Sequence, residues 1–341
     1  MNRQHRPLAR SAAGILGGAL AVLALLSGCA KQKAADALET LRLGVMTDSI
    51  TDYAATIGTA EGIFAKHGFK AEIASFAAGI NTIDAVTTGQ MDIGFGADFA
   101  VLNRFGGSAD TPLRIFAGLG EGRLDSYKLY AKGEGIRSPA DLAGKPVVVH
   151  LGTVGEYWYA RTLEASGLSM KAVTSLPIES AMEGVALIQN GSAVASWGAA
   201  RTAEALAAIP GVHPIADLSA VGTPTLSVAV ATETFLRERQ GAAVKYLLAM
   251  QEIYDFIAQN PQRAAETVNK SLSAPVGQVL SNIKSQTNYI DFNRQVFDGL
   301  NNLYLWAEAN GVVRNRYSLP GYINIDALKA AFPGRGDYSA R

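Results

Sequence analysis

From Leu41 onward, short apolar runs alternate with amphipathic stretches that close on glycine. Leu41-Arg42-Leu43-Gly44-Val45 reads as a strand and gives way to the polar turn Met46-Thr47-Asp48-Ser49. Tyr53 to Lys66 carries a helical period and stops at His67-Gly68. Ala71 to Phe76 is a second strand. Ala78-Gly79-Ile80-Asn81 leads into a helix over Thr82–Thr88, with Gly89 as its stop. Met91 to Gly96 is a third strand, followed by Ala97-Asp98-Phe99. Strands alternating with helices predict an α/β fold with parallel sheet built from βαβ units.

The same order recurs after Lys145. Before it, Ser138-Pro139-Ala140-Asp141 has the form of a helix start, with a capping serine, a first-turn proline and a first-turn acid. Gly144 supplies the left-handed residue that ends this short helix. Pro146-Val147-Val148-Val149 is an unbroken apolar run, the mark of a strand covered on both faces. It enters the loop Gly152-Thr153-Val154 at a helix N-terminus, where main-chain N–H groups and the helix dipole favour an anion. That helix runs through Tyr157-Trp158-Tyr159 to Gly167. A strand near Thr174–Leu176 leads to helix Ala181–Gln189. The strand Ala193–Ser196 ends at Trp197. Two similar lobes therefore follow one another, and in open α/β sheets the ligand sits at the carboxyl ends of the strands. The stretches 126–131 and 225–230 read as paired hinge crossings. Lobe one then comprises 41–126 with 231–341, and lobe two 127–230. The tail returns to lobe one as helices, with apolar stripes at 242–259 and around Trp306 that serve packing.

The first 28 residues carry a different signal. Arg3, Arg6 and Arg10 precede an apolar run, Ala12 to Leu26, too short for a membrane span. Leu26-Ser27-Gly28-Cys29 resembles a lipobox, which implies cleavage before Cys29 and a lipid thioether on its sulfur. Residues 29–40 are then a tether. Cys29 is the single cysteine, so the body has no disulfide and no thiol nucleophile. Hydrophobic residues make up 48% of the chain, enough for a large core. Loss of residues 1–28 leaves 27 basic and 30 acidic residues, a net charge of −3 that argues against nucleic acid. Phosphate-binding, zinc-protease and nucleophile-elbow motifs are absent, and His67, His150 and His213 have no metal-type spacing. No cofactor and no metal is expected.

The chain resembles the solute-binding lipoproteins of ABC importers, in the sulfonate, taurine and nitrate branch that also holds thiamine-pyrimidine synthases. The resemblance rests on Leu41–Gly44, Ala60–Phe64, Phe76–Gly79, Gly89–Gly94, Ser138–Val149, and Ala258–Pro261 with Ala264–Glu266. It implies a type II periplasmic-binding-protein fold: two lobes, each a mainly parallel sheet flanked by helices, with the ligand cleft between them. Carried over by position, it implies ligand contacts at Thr47, Asp48, Gly79, Ile80, Asn81, Ala97 and Asp98 in lobe one. In lobe two they fall at Gly152, Thr153, Val154 and Trp197. The sequence departs from the family at Phe95-Gly96-Ala97-Asp98-Phe99, where a proline often follows the acid, and at Met46, where glutamine is frequent.

The implied function is capture of a small anionic or zwitterionic solute by a monomer that closes on it and delivers it to a permease and its ATPase. The lipid on Cys29 would hold the exported protein in the periplasm or at the outer face of the cell membrane. An enzyme on the same scaffold and a sensory module for a membrane partner are the alternatives. For a zwitterion, the Gly152–Val154 loop takes the acidic end and Asp98 faces the amine; alternatively Asp98 only caps the helix that follows it. Trp197 is expected as a cleft wall.

Overall fold

The computed structural model describes residues 38–107, 111–222 and 224–338. The export signal, Cys29 and most of the tether lie outside them. The chain from Glu39 onward opens with strand β1 (Glu39–Met46), so the last two tether residues already belong to a sheet. Helices α1 (Ile50–Ala60) and α2 (Ile63–Lys66) follow, then β2 (Phe69–Phe76), α3 (Gly79–Thr87), β3 (Ile93–Ala97), α4 (Asp98–Gly107) and β4 (Leu113–Gly122). The single helix expected over Tyr53–Lys66 is broken, because Gly62 takes φ +70°. A residue in the left-handed region ends one helix and lets the next begin at a new angle.

The second repeat begins with β5 (Lys128–Lys132) and β6 (Pro146–Val149). It continues through α5 (Val154–Ala165), β7 (Thr174–Pro177), α6 (Ala181–Gln189), β8 (Ala195–Gly198), α7 (Ala200–Ala207) and β9 (Val212–Asp217). Ser138 and Asp141 form the expected reciprocal cap on a short 3-10 turn, and Gly144 has φ +73°. The return segment holds β10 (Leu226–Thr232), α8 (Glu233–Glu238), α9 (Gln240–Gln259), α10 (Pro261–Leu272), α11 (Val276–Lys284), β11 (Gln286–Asp291), α12 (Arg294–Ala309) and α13 (Asp326–Ala331).

These strands form two sheets. The first has the order β11-β4-β10-β3-β1-β2, the second β7-β6-β8-β5-β9. β1 is parallel to β2 and β3, and β6 is parallel to β7 and β8, as the βαβ pattern requires. The expected hinge strand 225–230 is corrected here. It is β10, antiparallel between β3 and β4 inside the first sheet. The chain therefore crosses between the sheets at Gly122–Lys128 and at Asp217–Leu226. The two crossings lie together: Gly122 N–H donates to Thr225 O (3.0 Å) and Leu218 N–H to Tyr127 O (3.3 Å).

Burial explains the packing order. Leu41, Leu43 and Val45 of β1, and Ile93 of β3, have at most 1% exposure. Helix α3 lies so close to β3 that a Cβ on Gly94 would meet Thr82 O at 2.9 Å. The glycine is what lets the helix approach, and Thr82 then exchanges hydrogen bonds with the Phe95 main chain. Helix α9 packs against α1, α2 and α13, which returns the tail to the first lobe.

Candidate ligand-binding site

A cavity of about 300 Å³ opens at the carboxyl ends of β1 and β3. Its walls come from both lobes: Met46, Asp48 to Thr51 and Gly79 from the first, Ala199 and Ala200 from the second. Tyr127 and Thr225 of the crossings, with Leu226 and Ser227, line it from behind, and Asn282, Ser285 and Gln286 close one side. Position follows from topology, since parallel strands deliver their loops and the next helix starts to one edge.

Three helix starts meet here. Ser49 caps α1: its Oγ accepts from Asp52 N–H (3.4 Å) and donates to Met46 O (2.6 Å). The other two are different. Helix α3 starts from Ala78 and helix α7 from Ala199, and neither has a side-chain cap. An alanine in the extended cap conformation leaves first-turn N–H groups for something else to satisfy. Ala200 is also held at φ +45°. On the first lobe Asp48 stands at φ +57°, a conformation that aspartate tolerates better than most residues. Its carbonyl accepts from Asn282 Nδ2 (3.2 Å), which also donates to Tyr53 Oη (3.1 Å). Among the described residues Asp48 is the one charged residue lining this cavity; the remaining polar groups are hydroxyls and amides, and Met46, Ile50, Phe95, Ala97, Ala100 and Leu226 add an apolar side.

A second cavity, about 610 Å³, lies between the start of α5 and the β11–α12 corner. Asp98, Glu121, Asp291 and Asp298 line it, with Arg294 already paired to Asp298 at 3.0 Å. Four carboxylates against one engaged guanidinium oppose an anion. The smaller cavity, with helix starts and hydroxyls, is the one whose chemistry suits a negative group.

The structure separates the residues expected to share one site. Asp48, Gly79 and Ala97 line the smaller cavity; Asp98 and Val154 line the larger. Thr47, Ile80, Asn81, Gly152, Thr153 and Trp197 line neither. Trp197 is buried in an aromatic cluster with Trp158 and Tyr159, at centroid distances of 5.8 and 6.2 Å, and so packs the second lobe from inside. At the Gly152–Val154 loop two of the nearby main-chain donors are engaged locally. Gly152 N–H donates to Glu156 Oε2 (2.8 Å) and Gly155 N–H to Thr153 Oγ1 (3.1 Å). Asp98 is 3% exposed, with both carboxylate oxygens engaged by main-chain N–H groups: Phe99 at 2.7 Å and Leu226 at 2.9 Å. Burial pushes its carboxyl up to about 7, against the lowering effect of those two bonds. Asp98 opens α4, and its oxygens accept from the adjacent Phe99 and from Leu226 of β10, so it ties the helix start to the neighbouring strand. Ser49, Thr51, Ala199, Asn282 and Gln286 are site residues that pattern reasoning missed. A capping serine after β1 was a readable signal; Asn282 and Gln286 lie more than 180 residues along the chain from the ends of β1 and β3 and had none.

The two sheets, their helices and the paired crossings define the two-lobed periplasmic-binding-protein fold. The aliphatic sulphonate binding protein SsuA of Escherichia coli superposes with a TM-score of 0.74 at 17% identity, over 84% of this chain and 92% of that one. The alkanesulfonate-binding SsuA of Xanthomonas axonopodis pv. citri, bound to MOPS, gives 0.69 at 16% identity, over 84% and 98%. The desulfurization enzyme DszB has the same fold, with a TM-score of 0.64 at 16% identity, over 86% and 98%. No curated protein sequence matches the chain. Residues 48–264 match the family described as NMT1/THI5 like, and the chain belongs to that family.

Proposed function

We propose that the chain is the solute-binding component of an ABC importer and that its 300 Å³ cavity takes a small organic anion of the sulfonate class. The observation that carries this reading is the pair of uncapped helix starts at Ala78 and Ala199, one on each lobe, facing one cavity. A sulfonate oxygen set can accept from both, and the apolar side of the cavity suits an alkyl or aryl tail. The sulfonate-binding relatives in structure support the class of solute. Export, a lipid on Cys29 and delivery by a monomer to a permease and ATPase complete the reading. A Cys29→Ser protein should leave the membrane fraction or stay unprocessed.

Catalysis on this scaffold is the second reading, favoured by the fold shared with DszB. Among the described residues the lining of the cavity offers hydroxyls but neither cysteine nor histidine, which weighs toward capture without chemistry. A thermal-shift panel of taurine, alkanesulfonates, nitrate and pyrimidines tests the proposal. A sulfonate should raise the melting temperature, because it binds only the folded state. A shift with a pyrimidine and none with any sulfonate would overturn it.

A further inference from the structure

The main-chain ladder between β3 and β10 ends at the pair Ala97 and Ser227. One step further, Asp98 would face Leu226, but there the chain has turned into α4. The Asp98 side chain takes over the ladder: its Oδ2 accepts the Leu226 N–H at 2.9 Å, while Oδ1 accepts the Phe99 N–H at 2.7 Å. Leu226 is where the return crossing enters the first sheet. It lines both cavities, and its neighbours Thr225 and Ser227 line the smaller one. Thr225 Oγ1 is buried there with no hydrogen-bond partner.

We propose that Asp98 is a positioning residue of the ligand site: by holding the Leu226 N–H it sets the main chain from which Thr225 and Ser227 meet the solute, at the point where one lobe passes into the other. This rests on the reading that the 300 Å³ cavity is the solute site. An ionised carboxylate presents two acceptors to two donors. Protonation neutralises the group and turns one oxygen into a donor, so both bonds lose their charge assistance and one of the two N–H groups loses its good acceptor. The groups that share this corner are Tyr127 on the first crossing, Tyr157 on α5, Glu121 on β4, Tyr289 and Asp291 on β11, and Arg294 and Asp298 on α12. Burial holds the three tyrosines above their ordinary range, so they stay neutral where Asp98 titrates.

The test uses the full chain and ethanesulfonate, an anion at every working pH, by calorimetry at pH 5.5 and 8.5. The parent should bind more tightly at pH 8.5. Direct repulsion by an ionised Asp98 would give the opposite sign. Asp98→Asn keeps one acceptor but sets an amide donor against the other N–H. It should bind on the order of tenfold more weakly at pH 8.5, one hydrogen bond to a charged group, with no difference between the two pH values. Hydrogen exchange at residues 224–228 should quicken in the variant at fixed pH while β1 and β2 stay protected. A parent with no pH step, or a variant that binds as well as the parent, overturns the proposal, and the first result needs no variant. If the parent binds no sulfonate, the solute reading has failed. Exchange at 224–228 then still decides the tie: unchanged exchange in Asp98→Asn overturns it, and local quickening supports it.

Discussion

Tyr157 of α5 packs edge-on against Trp306 of α12, with ring centroids 4.9 Å apart and planes at 64°. The two helices belong to different lobes, so the contact bridges them. An edge-to-face pair contributes about 1 kcal/mol beyond its buried area. Trp306→Ala should therefore favour separated lobes and weaken solute binding about fivefold, the factor that this energy sets. Small-angle scattering of the ligand-free variant should give a larger radius of gyration than the parent. Equal radii and equal affinity would show that the contact does not hold the lobes.

Ala199 is a cap position without a capping side chain. Ala199→Asp supplies one and should stabilise α7 by about 1 kcal/mol. The same carboxylate would stand where an anion is to bind, and sulfonate affinity should fall more than tenfold. A melting curve and a titration on one sample separate the two effects. Raised stability with intact sulfonate binding would remove α7 from the site.

Asp48 faces the same cavity with a negative charge and a left-handed backbone. Asparagine accepts that backbone conformation as readily, so Asp48→Asn isolates the charge. Alkanesulfonates should bind the variant more tightly. Taurine, whose ammonium can pair with the carboxylate, should bind it more weakly. Calorimetry with the two ligand types reads the sign directly, and parallel changes for both would place the Asp48 carboxylate away from the solute.

Asp98 also sets a pH dependence of stability. Its folded pKa, about 7, lies above the ordinary 3.8. The folded state therefore holds a proton that the unfolded chain has released between those values. The resulting stabilisation is complete below pH 3.8 and is lost as the pH rises through about 7. Relative to Asp98→Asn, the parent should lose up to ~1.4 kcal/mol per pH unit across that window. Urea melts at pH 5, 6, 7 and 8 check it. A parent-minus-variant difference that is flat, or that rises with pH, contradicts the burial of this charge.

The repeated lobe was legible because βαβ units announce themselves locally, through apolar runs such as Pro146–Val149 and glycine stops such as Gly89 and Gly191. Strands β9 and β11 were not. Both are edge strands with polar or interrupted sequences: Val212-His213-Pro214-Ile215-Ala216-Asp217 carries a proline that only an edge tolerates. The placement of β10 was illegible for another reason. An apolar run declares that it is a strand, but its partners lie more than 100 residues away. Asp48, Gly79 and Ala97 could be read as strand ends and reached the cavity. Asp98 could be read as an amine contact or as a helix cap but not as a tie to β10, because an aspartate there looks the same in sequence whether it is exposed or sealed under a crossing.

The position of β10 also constrains the order of events when the chain folds. The strand fills the slot between β3 and β4, yet it is synthesised only after the whole of β5 to β9. Until it arrives, β3 and β4 each keep a bare ladder edge, and the loop that must close spans an entire lobe. All five strands of the second sheet lie within 128–217, so its strand pairing waits on no later segment. In pulse-labelled refolding, protection should therefore come first at β5 to β9. It should then come together at β3, β4 and β10, because those three strands wait on one slow, long-range closure.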